Sequence, residues 1–225
     1  MLFQNDTFLE KFVSKNCYIS RYKKALSFLH KLKTPYFLTY ISKKKLTKKE
    51  QEIFNCKYFS KLIIFKKIFN KREILFSQCR AANKRDKINL ENLVNKTKTY
   101  SRFSEDKKIS KKNIKEFRKE WVHGYFLNKK NRKLIVCEIN KKIAGLVLLR
   151  DYTKYLRIEL IMVDPSLHRS KVGSSLISHI NNIYLKKRNY LKAGTQSNNK
   201  QAIQFYKKLK FKEIDELFYQ HIYSN

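Results

Sequence analysis

The chain has 225 residues, of which 42% are hydrophobic and 14% aromatic, and this composition argues against wholesale disorder. Its 52 Lys and Arg residues against 18 Asp and Glu residues give a formal net charge of +34. That excess favours an anionic partner, although an A/T-rich coding sequence would enrich lysine equally well. No apolar run approaches the roughly 18 residues that span a bilayer, and charged residues interrupt the first apolar stretch. We therefore expect neither a transmembrane segment nor a signal peptide.

The four cysteines, Cys17, Cys56, Cys79 and Cys137, are far apart in the sequence and form no C-x-x-C pair. This spacing is typical of reduced thiols in a cytoplasmic protein and disfavours a zinc site. We expect a cytoplasmic protein with reduced thiols and no bound metal.

A polar stretch over residues 80–100, in which apolar residues are sparse, divides the chain into two parts. We predict a small N-terminal α/β domain over 1–95 and a second domain over 96–225. The elements predicted in the first part are a helix over 22–32, a strand over 36–41, a helix with a capping box over 47–55, and strands over 58–69. No polar constellation in this part suggests chemistry.

The second part alternates helices with strands. Ser110 is placed to cap a helix that runs to about residue 127. The elements predicted after it are an antiparallel hairpin of strands 133–139 and 143–150, a strand over 156–163, a helix over 172–188, a strand over 191–195, a helix over 199–209, and final strands over 211–222.

The segment 163–176 combines a strand end, a short polar loop and a helix start. Free amides at a helix N-terminus, with the positive end of the helix dipole behind them, suit a diphosphate. Gly173 would allow close approach of the phosphate, and Arg169 and Lys171 add positive charge. An ordinary strand-to-helix turn with two solvated cations explains the loop equally well. The segment is neither a P-loop nor a dinucleotide-binding fingerprint.

A second informative segment covers 195–211. Asn198 or Asn199 is placed to cap its helix, and Ala202 and Tyr206 share a face of that helix with other apolar residues. Taken alone, Tyr206 is more typical of a core aromatic than of a catalytic residue.

Together these segments resemble the GCN5-related N-acetyltransferase (GNAT) family. Its acetyl-CoA loop, [QR]-x-x-G-x-[GA] after V-x-P, aligns with His168, Lys171 and Gly173, so Lys171 replaces the first glycine. The later pattern N-x-x-A-x-x-[FL]-Y-x-[KR]-x-G-F matches Asn199, Ala202, Phe205, Tyr206 and Phe211, with Lys210 replacing glycine. The resemblance covers roughly 100–225 and implies an α+β fold: a mixed, largely antiparallel sheet flanked by helices, after a smaller N-terminal α/β domain.

Four short segments resemble a narrower group, the dTDP-fucosamine N-acetyltransferases. They are Ser101-Arg102-Phe103-Ser104-Glu105-Asp106, Glu120-Trp121-Val122, Gly194-Thr195-Gln196 and Tyr219-Gln220-His221. The group acetylates amino sugars linked to a nucleotide, for bacterial surface polysaccharide and lipopolysaccharide synthesis. This resemblance implies a nucleotide-linked amino sugar and acetyl-CoA as partners, with no nucleic acid expected and a homodimer left open.

The family resemblance also implies roles for individual residues. Tyr206 would be the general acid that protonates the thiolate of CoA. The acetyl-CoA site would comprise the main chain of Ile161, Met162 and Val163, the loop and helix residues His168, Arg169, Ser170, Lys171, Val172, Gly173 and Ser174, and the later residues Asn199, Ala202 and Tyr206.

For the general base and for the residues that bind the acceptor, the sequence allows alternative roles. Glu159 is a candidate base for the acceptor ammonium, and the alternative is an outward-facing strand residue paired with Arg157. His123 is a weaker candidate base. Ser101 and Arg102 would contact the sugar nucleotide, because an arginine fork suits a phosphate. A helix-capping serine beside a surface arginine explains that pair equally well.

Two other functions stay open at this stage. The first is an acetyltransferase that acts on a protein N-terminus or a small amine, because the fold does not fix the acceptor. The second is a basic protein without enzymatic activity that binds RNA or a membrane surface. This second function predicts aromatic residues interleaved with basic residues on one face. The basic cluster of Lys43–Lys45, Lys48 and Lys49 lacks such interleaving.

Overall fold

A computed structural model describes residues 1–98, 100–126 and 130–224. Its strands are β1 (Gln4–Asn5), β2 (Asn16–Ser20), β3 (Tyr36–Ser42), β4 (Cys56–Ile68), β5 (Gln78–Ala81), β6 (Arg132–Ile139), β7 (Lys142–Asp151), β8 (Tyr155–Val163), β9 (Tyr190–Gln196) and β10 (Lys212–Tyr223). Its α-helices are α1 (Thr7–Val13), α2 (Lys48–Ile53), α3 (Lys87–Lys96), α4 (Arg102–Glu105), α5 (Lys111–His123), α6 (Val172–Tyr184) and α7 (Lys200–Lys208).

Local sequence signals account for several helix starts. Thr47 and Glu50 form the predicted capping box of α2, and Ser110 caps α5 by accepting from the amide of Asn113. Helix α5 ends at His123, before the predicted end at residue 127, which lies outside the described residues. The segment Lys23–Lys31 is a 3₁₀-helix and not the expected α-helix. Its leucines recur every third residue, which is the period of a 3₁₀-helix.

The ten strands form one sheet in the order β1-β2-β3-β10-β4-β9-β8-β7-β6-β5. Among the strand pairs of the described residues, β2–β3 and β8–β9 are parallel and the others are antiparallel. This mixed, largely antiparallel sheet with flanking helices confirms the predicted fold class. The sheet continues across residue 95, since β4 lies between β10 and β9. The domain boundary placed there stays a prediction.

Helices cover both faces of the sheet. Helices α6 and α7 pack on one face over a core that includes Phe65, Leu156, Leu191 and Tyr206, called here the α6–α7 core. Helices α3 and α5 pack on the other face, over the side chains of β6, β7 and the end of β8. The described residues contain no helix that is both long and apolar enough to cross a membrane.

The expectation of four reduced thiols is wrong for one pair of cysteines. Cys79 of β5 and Cys137 of β6 lie directly opposite each other in the antiparallel register and are joined in a disulfide. Their 58-residue separation hid this contact from a sequence argument based on local spacing. Cys17 and Cys56 are free.

Candidate active site

Strands β8 and β9 are paired over only part of their length. Strand β8 pairs with β7 over residues 156–163, and β9 pairs with β4 along its whole length. The parallel pairing between β8 and β9 ends at Arg157 and Lys192. We call the region beyond this point, between 158–163 of β8 and 193–196 of β9, the strand gap. Its unpaired strand edges offer backbone groups to an extended ligand.

A β-bulge lies at the closed end of the strand gap. Leu148 pairs with Leu160 and Leu149 pairs with Ile158, which leaves Glu159 as the extra residue of β8. Bulges bend a strand and redirect its side chains. The bulge therefore bends β8 where its pairing with β9 ends.

The loop after β8 enters α6 through two residues with left-handed backbone. Arg169 has φ 68° and Lys171 has φ 63°. Lysine thus adopts at position 171 the conformation that glycine, the residue of the family pattern, favours. Lys171 is also the N-cap residue of α6, and its side chain makes no capping hydrogen bond. Within the described ranges, the first amides of this 13-residue helix therefore lack a side-chain cap, as an anion site requires.

Gly173 packs against Phe205, whereas the sequence predicted close approach of a phosphate at this glycine. A Cβ at this position would lie 3.0 Å from the ring of Phe205, so α7 already occupies the space that the glycine leaves. Of the other predicted loop residues, His168 and Ser170 are exposed, and Val172 is buried in the α6–α7 core.

Several predicted cofactor residues meet around the α6–α7 core. Ile161 and Val163 of β8 and Ala202 of α7 are partly buried against it. Met162 faces the opposite side of the sheet. Asn199 caps α7, since its Oδ1 accepts from the amide of Ala202 at 3.2 Å, as predicted.

Tyr206 lies inside this core. Its side chain is 3% exposed and packs against Phe65, Phe205 and Phe211, with ring centroids 5.1–5.4 Å away. Burial raises the pKa of its phenol above the ordinary value. The surroundings are those of a core aromatic, and the phenol stays protonated at neutral pH.

Both candidate bases lie beside ionisable side chains. Glu159 pairs with Arg157 and lies 4.0 Å from Nε of Arg150. Nε2 of His123 lies 2.8 Å from Oε1 of Glu91 of α3. Each group thus has the partner that a structural role predicts.

Ser101 and Arg102 lie at α4. The Ser101 hydroxyl caps this short helix by accepting from the Ser104 amide at 3.1 Å. The half-buried Arg102 guanidinium lies over the rings of Phe103 at 4.3 Å and Tyr219 at 4.7 Å. Its Nε is buried and has no hydrogen-bond partner among the described residues. A half-buried guanidinium in this state suits an incoming anion.

Sequence reasoning missed a buried polar network at the end of β10. The Asp106 carboxylate contacts Nδ1 of the fully buried His221 at 2.5 Å and accepts from the Tyr223 hydroxyl at 2.6 Å. Burial lowers the pKa of His221 to about 4, although Asp106 acts in the opposite direction. The imidazole is therefore neutral near pH 7. Asp106 and His221 both lie in the short segments that resemble the dTDP-fucosamine N-acetyltransferases. That resemblance was the one signal in the sequence that could have drawn attention to them.

The comparison with protein families decides the class. A family model described as an acetyltransferase (GNAT) domain matches residues 104–222, which is more than half of the chain. The chain belongs to the GNAT acetyltransferase family. This confirms the predicted enzyme class, an N-acetyltransferase.

Solved structures share the GNAT fold of this chain at low sequence identity. A functionally unknown protein from Staphylococcus epidermidis has a TM-score of 0.72 at 10% identity, covering 97% of this chain and 89% of its own. A GNAT-family protein from Novosphingobium aromaticivorans has a TM-score of 0.60 at 11% identity, covering 95% and 86%. The PaiA N-acetyltransferase of Thermoplasma acidophilum, solved with coenzyme A, has a TM-score of 0.52 at 14% identity, covering 65% and 98%. The search of curated proteins gives no match.

Proposed function

We propose that this GNAT enzyme transfers the acetyl group of acetyl-CoA to the amino group of a nucleotide-linked sugar, for bacterial surface polysaccharide or lipopolysaccharide synthesis. The binding of acetyl-CoA in this proposal is supported by the strand gap, which opens toward the start of α6. An extended thioester arm can pair with a strand edge while its diphosphate meets helix amides.

The described residues fit acetyl-CoA in this orientation. The main chain of Ile161, Met162 and Val163 would line the pantetheine arm. The amides at the start of α6, with Arg169 and Lys171, would hold the diphosphate. Because Phe205 fills the space beside Gly173, the phosphates would approach the loop side of α6 and not the α7 side.

The acceptor nitrogen loses two protons, one as the ammonium becomes a neutral amine and one as the amide forms, and the sulfur of CoA gains one. The second nitrogen proton replaces the one that the proton donor gives to the thiolate. The neutral acceptor amine attacks the thioester carbon, the C–S bond breaks, and the departing thiolate takes a proton. Tyr206 is the proposed donor, on the family resemblance. Its burial keeps it protonated but makes it a weaker acid than an exposed tyrosine. Glu159 is the proposed acceptor of the ammonium proton, directly or through water.

The acceptor class rests on the narrower resemblance and on Arg102. The buried Nε of Arg102, which has no partner in the described part of the chain, favours a phosphate-bearing acceptor over a neutral amine. Ser101 is proposed to lie beside the same acceptor, although its hydroxyl already caps α4.

A transfer assay tests this proposal. The enzyme is incubated with acetyl-CoA and, separately, dTDP- and UDP-linked amino sugars, a peptide with a free N-terminus, and a polyamine, and free thiol is measured. We expect turnover with a sugar nucleotide. Turnover of the peptide or polyamine alone would overturn the acceptor class, and no turnover with acetyl-CoA in any combination would overturn the proposal.

A further inference from the structure

Three tyrosines from two segments of the chain stack side by side. Tyr152 precedes β8, Tyr155 begins it, and Tyr190 begins β9. The ring centroids of Tyr152 and Tyr155 are 4.7 Å apart, and those of Tyr155 and Tyr190 are 5.1 Å apart, with interplanar angles of 15° and 5°. All three side chains are partly exposed. We call this set the tyrosine row.

Three cations lie over the tyrosine row. The Nζ of Lys66 is 4.4 Å from the ring centre of Tyr190, and that of Lys192 is 4.8 Å from the ring centre of Tyr155. The guanidinium of Arg157 is 5.6 Å from the ring centre of Tyr152. These distances are within the range of cation–π contacts. Arg157 also pairs with Glu159, whereas neither lysine pairs with a carboxylate among the described residues.

The strand register places this set on the face opposite α6 and α7. Arg157, Lys192 and Lys66 are direct cross-strand neighbours on β8, β9 and β4. Leu156 and Leu191, one residue earlier on their strands, point the other way into the α6–α7 core. Side chains alternate between faces along a strand, so the cations share the face away from α6 and α7.

The row lies at the closed end of the strand gap. Arg157 and Lys192 form the last registered pair of β8 and β9. With the diphosphate of acetyl-CoA at the start of α6, the thioester end of the arm runs back along β8 toward this pair. The acceptor amine must reach the same point to attack.

We propose that the tyrosine row with Lys66, Arg157 and Lys192 forms the subsite for the anionic carrier of the acceptor, a nucleoside diphosphate. This inference rests on the proposed function and names the surface that selects its substrate. The lysines and the tyrosine hydroxyls would bind phosphate oxygens, and the open ring edges would contact the base.

The size of the row favours a nucleotide over a nucleic acid. Aromatic residues interleaved with cations also occur on surfaces that bind single-stranded nucleic acid, but such sites cover at least about 4 nucleotides. The row has only two ring-to-ring steps, of 4.7 and 5.1 Å. One nucleoside diphosphate matches that length.

Binding of UDP and dTDP, without any reaction, tests the subsite. The double variant Lys66→Gln with Lys192→Gln removes two charges from the row. The double variant Lys48→Gln with Lys49→Gln removes the same charge from exposed positions on α2. We expect the first variant to raise the Kd for UDP or dTDP about tenfold, because charge-assisted contacts to phosphate are lost, and the control to leave it unchanged. The control variant should also leave kcat and the KM for acetyl-CoA unchanged, and the row variant should leave the KM for acetyl-CoA unchanged.

Several results would overturn the subsite. The first is that the wild type binds neither UDP nor dTDP, or that it binds both with the same Kd as the row variant. The second is a rise in the KM for acetyl-CoA in the row variant, which would assign the row to the cofactor. The third is loss of binding to a single-stranded RNA oligonucleotide without any loss for UDP or dTDP. A wild-type enzyme that acetylates sugar nucleotides while the row variant binds UDP and dTDP normally would sink the subsite and leave the proposed function standing.

Discussion

Tyr206 carries both a catalytic and a structural interpretation, and one substitution separates them. Tyr206→Phe removes the hydroxyl and keeps the ring that packs against Phe65 and Phe211. If the phenol protonates the thiolate, kcat should fall by about 10²–10⁴-fold with the KM for acetyl-CoA little changed. The rate of free-thiol release under saturating substrates measures this effect.

The same core offers a matched control for that substitution. Tyr184 of α6 is also partly buried against the α6–α7 core, and burial likewise raises its pKa. Tyr184→Phe should leave kcat unchanged. A Tyr206→Phe enzyme that behaves like Tyr184→Phe would identify Tyr206 as a core aromatic and assign protonation of the thiolate to water or another group.

His221 makes a separate prediction about acid stability. Its pKa is about 4 in the folded protein, because of burial, against 6.5 for an ordinary histidine. As the pH falls, the histidine of the unfolded chain binds its proton before the buried histidine of the folded protein does. The contribution of neutral His221 to the free energy of unfolding is therefore fully present above pH 6.5 and is lost as the pH drops toward 4. The loss attributable to His221 is on the order of 3 kcal/mol.

Urea unfolding at a series of pH values measures this loss. His221→Gln should unfold more easily at pH 7, because the Asp106 contact is weakened, but its free energy of unfolding should fall less steeply between pH 6.5 and 4. Equal pH slopes in the wild type and the variant would show that His221 does not titrate on unfolding.

Residue roles were harder to predict than residue positions. The capping role of Asn199 follows from local chemistry, because an asparagine before a helix accepts from an amide three residues on. The Asp106–His221 pair joins residues 115 positions apart, and no local pattern encodes such a contact. The tyrosine row similarly gathers residues from two strands and the turn before β8.

At the level of elements, the close packing of β7, β8 and α6 depends on one glycine. A Cβ at Gly145 would lie 2.9 Å from the carbonyl oxygen of Met162 and 2.8 Å from a methyl group of Val172. The backbone oxygen cannot move without disturbing the sheet. Gly145→Ala should therefore destabilise the protein by about 1–3 kcal/mol, the usual cost of overpacking.

Gly194 is the control for this prediction. A Cβ there would make only ordinary contacts with Leu62, at 3.4 Å and beyond. Thermal unfolding of the two alanine variants gives the comparison. Equal destabilisation of Gly194→Ala and Gly145→Ala would show that the loss of stability comes from placing alanine in a strand and not from crowding.

Helices and hairpins of the second half were predictable because their signals are local: caps, turns and hydrophobic periods. The strand order was not, because β10 inserts between β3 and β4. That pairing joins the last strand of the chain to two from its first third. Sequence periodicity says which residues face a core but not which strand supplies the neighbour.

At the scale of the whole molecule, the sheet joins both halves of the chain into the support for the strand gap. Strand β4 from the first half pairs along all of β9, which forms one wall of the gap. Strand β8, the other wall, is held by β7. The first half therefore has a defined role in positioning the site, which its lack of polar motifs did not predict.

The central claim is that acetyl-CoA binds in the strand gap with its diphosphate at the start of α6. Amide hydrogen exchange of the full chain, with and without acetyl-CoA, tests this most directly, because it reports on individual backbone groups. The account predicts new protection at residues 161–163 of β8 and 171–173 at the start of α6. Saturating acetyl-CoA that protects other segments and leaves these amides unchanged would contradict it.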